Sequence, residues 1–466
     1  MQAANFADPS LNESDLIAFL SDGASYGLPG EPVERIETHC SIVFMIGETA
    51  YKLKRPLAFS SVDYTTLEKR EMACRRELAL NLRSAPDLYL GLRSIRRDAH
   101  GHLSFDDDGV VVDWVVVMRR FAQSALFDHL VAEGRFTLDL AETLAREIAR
   151  FQGGAERTSA FGGAEGLRRA TESNRRDQRT VSVVLQEEGI EQLYARSLAT
   201  VERLASLLDQ RRADGCVRVC HGDLRLANIC LYRGRPTLFD AIEFSDEISC
   251  IDVLYDVAFL LMDLCHQGRH AEANRVFNTY LDATGDDRGL PSLPLMMSLR
   301  AGTRAYALAA SSLRKTDPEQ RDMLSAKARD LMALAMSLFE TASPLLVVIG
   351  GGTRDDRHTV AGSMAPSFLP APGARILEAT DMSADGFENR LTEITAAGYT
   401  LISPGAFETE EQRRKLSRLV ADRGIRLIGL WLAPDRNPPP RWHAIGNRDA
   451  AAIAHVLRQG GTIGSV

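Results

Sequence analysis

The stretch Cys216–Glu243, CVRVCHGDLRLANICLYRGRPTLFDAIE, constrains the chain more than any other. Val217 to Cys220 reads as a short strand. His221-Gly222-Asp223 then breaks the pattern with a turn that presents a carboxylate, and Asn228 follows five positions after Asp223. Ile229 to Tyr232, the turn Arg233-Gly234-Arg235-Pro236, and Thr237 to Phe239 read as a hairpin by alternation and punctuation. That hairpin returns Asp240 beside Asn228. A His-Gly-Asp turn alone is most often only a turn. An amide and a second carboxylate delivered across a hairpin point instead to chemistry at a bound ion.

Phosphoryl transfer needs a carboxylate to position or deprotonate the acceptor hydroxyl, and oxygen ligands that hold Mg²⁺ on the phosphates. Asp223 suits the first role; Asn228 and Asp240 suit the second. The spacing H-x-D-x-x-x-x-N, followed about a dozen residues on by an Asp, is that of a kinase catalytic loop. On these residues the chain resembles the aminoglycoside phosphotransferase-like family, whose loop reads HGD(L)xxxN. More narrowly, it resembles fused bacterial proteins in which that domain precedes a P-loop nucleotide-kinase-like domain.

The resemblance implies an α+β bilobal protein-kinase-like domain followed by a smaller α/β P-loop-like domain with a parallel sheet. It lays out an N-terminal extension at 1–29, an N-lobe at 30–120, a C-lobe with a helical acceptor subdomain at 121–340, and the P-loop-like domain at 345–466. It implies ATP and Mg as cofactors and a small-molecule hydroxyl as acceptor. Two departures stand out. Arg225 occupies a position where the fused group usually has His; it serves either as a charge-assisted phosphate contact or as a solvated rim residue. Gly222 replaces the Arg of the protein-kinase triplet and removes the usual docking point for a phosphorylated activation loop.

With 466 residues the chain exceeds one compact core. Its net charge of -8 argues against general nucleic-acid binding and is compatible with a cationic substrate. Seven cysteines without a CxxC pair suggest a reducing compartment. Cys216, Cys220 and His221 lack a fourth partner for zinc. The N-terminal residues show no basic region followed by an apolar core, and the apolar run Val110 to Met118 is short and interrupted by Asp113. A cytoplasmic protein without membrane or nucleic-acid partners is expected.

From Val33 the chain reads as an antiparallel meander: Glu34 to Thr38, Ile42 to Ile46 and Thr49 to Lys54. The glycine-free turn Thr38-His39-Cys40-Ser41 stands where the family covers the phosphates; its amides and hydroxyls are candidates to cap one. Lys52 and Lys54 lie on one strand face, and one of them should pair with the phosphates, Lys52 being favoured because it follows Ala50-Tyr51. A helix over Tyr64 to Ser84 carries Glu77, which the resemblance makes the partner of that lysine; Glu68 and Glu71 are nearby substitutes. Met118-Arg119-Arg120-Phe121 falls at the family's adenine-binding hinge, which the resemblance reads as binding through backbone groups. Beyond Ser124 the text is mainly helical, and the Arg-rich run from Arg168 to Arg179 reads as a solvated helix face. His221, Asp252 and Asp256 are expected to brace the catalytic loop from behind.

Leu345 to Ile349 is an apolar run ending in Gly350-Gly351-Gly352, the form of a buried parallel strand feeding a phosphate loop. The loop that follows departs from GxxxxGK[ST]: Asp356 stands at the second glycine, Arg357 at the lysine and His358 at the hydroxyl. In the later strand, the metal-associated Asp position falls on Ser403 or Pro404. Together these losses predict a degenerate site that no longer binds Mg-ATP, with a residual anion site at Gly350, Gly351, Gly352 and Arg357 as the remaining possibility. Two rivals to a working kinase follow: a catalytically silent kinase-shaped scaffold, and a nucleotide sensor.

Overall fold

The computed structural model describes residues 13–38, 40–59, 62–378, 384–405, 407, 409–432, 438–439 and 442–445. His39, residues 1–12 of the expected extension and residues 446–466 of the expected P-loop-like domain lie outside these residues. The chain forms two compact units, 1–135 with 219–250, and 136–218 with 251–466. The segment from 345 onward, expected as a separate domain, therefore belongs to the same unit as the helices that precede it.

In the first unit, helix α1 (Glu13–Leu20) precedes strands β1 (Glu34–Glu37), β2 (Ser41–Ile46) and β3 (Thr49–Lys54). Helix α2 (Leu67–Asn81), strands β4 (Tyr89–Arg97), β5 (Leu103–Phe105) and β6 (Val110–Arg119), and helix α3 (Phe127–Ala132) follow. The strands form one antiparallel sheet in the order β1-β2-β3-β6-β4-β5. Alternation sorts β3: Tyr51 and Leu53 join a core with Phe44, Ile95, Phe105 and Val115. Leu16 and Leu20 of α1 close that core, so this segment is part of the sheet's packing rather than a polar lead-in. The opposite face carries Lys52 and Lys54.

Helix α2 is shorter than periodicity predicts. Asp63 Oδ1 accepts from the Thr65 amide and hydroxyl, which holds the chain extended until Thr66 caps the helix through Lys69 N. At the other end Pro86 disfavours helix at Ala85. Strands β7 (Ile229–Tyr232) and β8 (Arg235–Leu238) form the expected hairpin, with Ile229 opposite Leu238.

The second unit begins with helices α4 (Leu138–Gly153), α5 (Gly163–Arg179) and α6 (Glu187–Ala213). After the first unit's hairpin come α7 (Val253–His266), α8 (His270–Thr284), α9 (Leu293–Leu313) and α10 (Pro318–Ser337). The Arg-rich run is a helix face laced with ion pairs: Arg168 to Glu202, and Arg175 and Arg179 to Glu191. Strand β9 (Leu345–Gly350) is buried throughout, and α11 (Arg354–Met364) follows it. Then come β10 (Arg375–Ile376), α12 (Ala384–Ala396), β11 (Leu401–Pro404), α13 (Glu410–Ala421), β12 (Arg426–Trp431) and β13 (Trp442–Ala444). The sheet is parallel, in the order β10-β11-β9-β12-β13.

A buried arginine ties this sheet to the helices. Arg375 is fully buried; it bonds Asp287 at 3.1 Å and Asn278 at 2.9 Å and pairs with Asp282. Asn274 and Asn278 of α8 also donate to the Ala374 carbonyl. Among the described residues no helix is long and apolar enough to cross a membrane.

Candidate active site

The loop after Val219 is held against the end of its own hairpin by three bonds. His221 Nε2 donates to Phe239 O at 2.8 Å, Ile242 N to His221 O at 2.9 Å, and Phe239 N to Asn228 O at 3.1 Å. These bonds bring Asp223, Asn228 and Asp240 to one place. Gly222 is required there: its φ is +84°, and a Cβ would meet Ile242 Cγ1 at 3.0 Å and Ile248 O at 3.2 Å. The missing arginine of the kinase triplet thus has a steric cause.

Asn228 turns its amide nitrogen to Asp223, at 2.7 Å from Oδ2 and 2.9 Å from the carbonyl, so its Oδ1 is the atom left to serve as a metal ligand. Arg225 Nε lies 3.1 Å from both Asp223 oxygens. Burial raises the Asp223 pKa, but the Arg225 guanidinium beside it and the bonds from Arg225 and Asn228 bring it below the usual value. Asp223 is therefore a carboxylate at neutral pH. Asp240 has φ of +64°, a left-handed conformation uncommon outside glycine and frequent at functional sites. Its amide is fixed by a bond to the Tyr89 hydroxyl at 3.2 Å.

Both lysines of β3 meet Glu77. Lys52 Nζ lies 2.8 Å from Glu77 Oε1 and 2.5 Å from Asp240 Oδ1; Lys54 Nζ lies 2.6 Å from Glu77 Oε2 and also pairs with Glu243. The side chains differ in access: Lys52 is 12% exposed and Lys54 1%. Burial opposes the charge on Lys52, but Asp240 and Glu77 outweigh it and hold the ammonium protonated. Burial likewise raises the Glu77 pKa, and Lys52 and Lys54 reverse the shift. Glu71, an alternative partner, pairs with Arg75 at the surface. Two lysines thus face three carboxylates, which leaves a negative surplus suited to a cation.

Residues 115–291 match the Phosphotransferase enzyme family. The family match takes in Asp223, Asn228, Asp240, Asp252 and Asp256; Lys52 and Glu77 lie outside it. An uncharacterized protein of Mycobacterium tuberculosis is 29% identical over 350 residues, 74% of this chain and 67% of the relative. A choline/ethanolamine kinase family protein from Mesorhizobium loti overlays with a TM-score of 0.41 at 14% identity, over 69% of this chain and 99% of that one. An amicoumacin kinase, solved with AMP-PNP, Ca²⁺ and Ami, overlays with a TM-score of 0.39 at 15% identity, over 69% and 96%.

Other expected residues fall differently within the family-matched region and around it. Met118 and Arg119 still belong to β6, and the amides of Arg119 and Arg120 donate to Leu88 O and Glu48 O. Backbone pairing thus uses these two amides. A cavity of about 350 Å³ lies beside Arg120 and Phe121, walled also by Arg35, Ile36, Met45 and Gln123. In the Thr38–Ser41 turn, the Thr38 amide and hydroxyl both donate to Ser41 O, and Ser41 N donates back to Thr38 Oγ1. Those groups close the turn and are not free to cap a phosphate. Asp252 caps α7 through Leu254 N and pairs with Arg211. Asp256 accepts from Gln152 at 3.2 Å.

Four supporting residues escape sequence reasoning. Glu243 accepts from the Tyr64 hydroxyl at 2.5 Å, and Asn81 links the Glu77 carbonyl to the Ala241 amide; Tyr89 is described above. The only sequence signal was Glu243 at the end of the central stretch.

The glycine loop of the second unit is built differently. Gly351 and Gly352 have φ of +70° and +55°, and Thr353 caps α11 in a reciprocal box with Asp356. Arg357 Nη1 folds onto the carbonyls of Gly351 at 2.9 Å and Gly352 at 3.1 Å. A Cβ on Gly350 would meet Trp431 at 2.9 Å, and one on Gly351 would meet it at 3.1 Å. The glycines thus serve a tight turn and close packing, and Asp356 fills the helix N-terminus where an anion would sit.

Proposed function

We propose that the chain is an ATP- and Mg²⁺-dependent phosphotransferase whose acceptor is the hydroxyl of a small molecule. The observation that carries this reading is the convergence of Lys52, Glu77 and Asp240 in one ion-paired chain beside Asp223 and Asn228. Lys52, oriented by Glu77, would hold the phosphates. Asp223, ionised and 26% exposed, would accept the acceptor's hydroxyl proton or align that hydroxyl. Arg225 would release Asp223 to meet the transferred phosphate. The purine edge would meet backbone from Phe121 onward, beside the cavity already described.

Asn228 Oδ1 and Asp240 fit a divalent cation of the magnesium type: oxygen donors, one carboxylate, and too few ligands to hold the ion without phosphate oxygens. Among the described residues no group of three or more His, Cys, Asp or Glu could hold a metal alone. Magnesium bound there would neutralise charge developing on the phosphate oxygens. The glycine loop of the second unit, closed by Asp356 and Arg357, is proposed to bind no nucleotide.

A catalytically silent kinase-shaped scaffold is the second reading, favoured by the closed Thr38–Ser41 turn. Asp223→Asn separates the two in an assay of ATP consumption against a panel of small alcohols. The enzyme reading expects turnover in the wild type, its loss in the variant, and a Mg-ATP thermal shift in both. Neither turnover nor a Mg-ATP shift in either protein favours the scaffold; a shift without turnover leaves a nucleotide sensor.

A further inference from the structure

A cavity of about 570 Å³ lies wholly within the second unit, walled by α4, α8, α11, α12 and the chain leaving β10. It has the size of a small-molecule site, and it opens at the carboxyl end of a parallel strand, where open α/β sheets place their ligands. Its charges are organised around two carboxylates. Glu142 of α4 accepts from Arg146 Nη2 at 2.5 Å and from Arg275 Nη1 of α8 at 3.3 Å. Glu378, 8% exposed, accepts from Arg354 at 2.5 Å and bonds His358 Nε2 at 3.1 Å.

Three arginines and a histidine therefore face two glutamates. The remaining charged wall residues, Asp282 and Arg390, are paired with Arg375 and Asp287. In a chain of net charge -8 this is a local positive surplus. The side chains of Arg146 and Arg275 are 63% and 40% exposed, and their guanidinium groups keep further N–H donors for a ligand. Leu138, Ile376 and Leu377 supply an apolar wall beside them.

We propose that this cleft binds a small phosphate monoester, its phosphate between Arg146 and Arg275 and its organic body against Leu138, Ile376 and Leu377. Phosphate matches the arginine fork, and the apolar wall favours an ester over the free ion. The site is separate from the kinase-like loop and does not depend on its activity.

Calorimetric titration of the full chain with phenyl phosphate and with inorganic phosphate tests this. Phenyl phosphate should bind with a Kd of about 1 mM or tighter, and more tightly than inorganic phosphate. The double variant Arg146→Ala/Arg275→Ala, at exposed positions, should weaken binding roughly tenfold. Glu142→Gln should tighten it by releasing both arginines, an outcome that loss of structure would not produce. Asp240→Ala should leave it unchanged. Absence of binding, equal affinity for the two probes, indifference to the Arg146/Arg275 and Glu142 changes, or loss in Asp240→Ala would each overturn the proposal.

Discussion

Two loops leave strands in this protein, Val217–Val219 and β9, and they use their polar groups in opposite ways. After Val219, the loop presents Asp223, Asn228 Oδ1 and Asp240 to an ion-paired cluster with one carboxylate in excess. After Ile349, the loop satisfies itself: Asp356 takes the helix cap and Arg357 takes the glycine carbonyls. The difference teaches that a glycine turn after a strand can spend its polar groups on its own backbone. What counts is whether the protein's own groups already occupy the ligand's place.

The sharpest break of this comparison is at Asp223. Asp223→Asn should lower turnover by roughly 10²–10⁴-fold while the Mg-ATP thermal shift persists; unchanged turnover would remove Asp223 from the chemistry. Next in size, a chain ending at Glu340 leaves Asp287, 1% exposed, without Arg375 and Arg390. It should unfold at lower denaturant than the parent, because α8 and Asp287 lose the sheet that bonds and covers them. A shortened chain as stable as the parent would make the parallel sheet dispensable to the helices.

Asp240→Ala should abolish a Mg²⁺-dependent stabilisation by ATP of about 2.7 kcal/mol at a hundred times the Kd. If the shift survives, the metal lies elsewhere. The matching change in the other loop, Asp356→Ala, should cost about 1 kcal/mol of stability through loss of the cap and leave that shift untouched; a weakened ATP shift would reinstate the second loop as a nucleotide site.

The smallest expected effect is on pH. Asp223 and Glu77 have folded pKa values below their unfolded ones, so their stabilising contribution is complete above about 4 and is lost only as pH falls through the depressed values. Between about pH 5 and 8 neither should alter Mg-ATP binding, and a binding midpoint near 6 would assign the titration to another group.

Much of the first loop was legible because its chemistry is local. Asp223, Asn228 and Asp240 share one hairpin, and alternation alone puts Lys52 and Lys54 on one face. The joint claim of both lysines on Glu77 was not legible, since it depends on where α2 packs. Glu243, Tyr64, Asn81 and Tyr89 give no local pattern either; they act through partners remote in sequence, such as the 179 residues between Tyr64 and Glu243. The end of β6 gives no local signal either, because it is set by pairing, here Met118 with both Tyr89 and Ala50. In the second unit the glycine run after a buried strand was readable, but the reason for its glycines was not, because Trp431 comes three strands later in the chain.

Arg375 also sets an order of events at the ribosome. Its partner Asp287 is made 88 residues earlier, in a chain that grows at about 5–20 residues per second. For roughly 4–18 s the nascent helical layer carries an acidic spot with its intended cation not yet synthesised. Until the parallel sheet emerges, that spot must stay hydrated, so the last third of the gene decides when the middle third can finish folding.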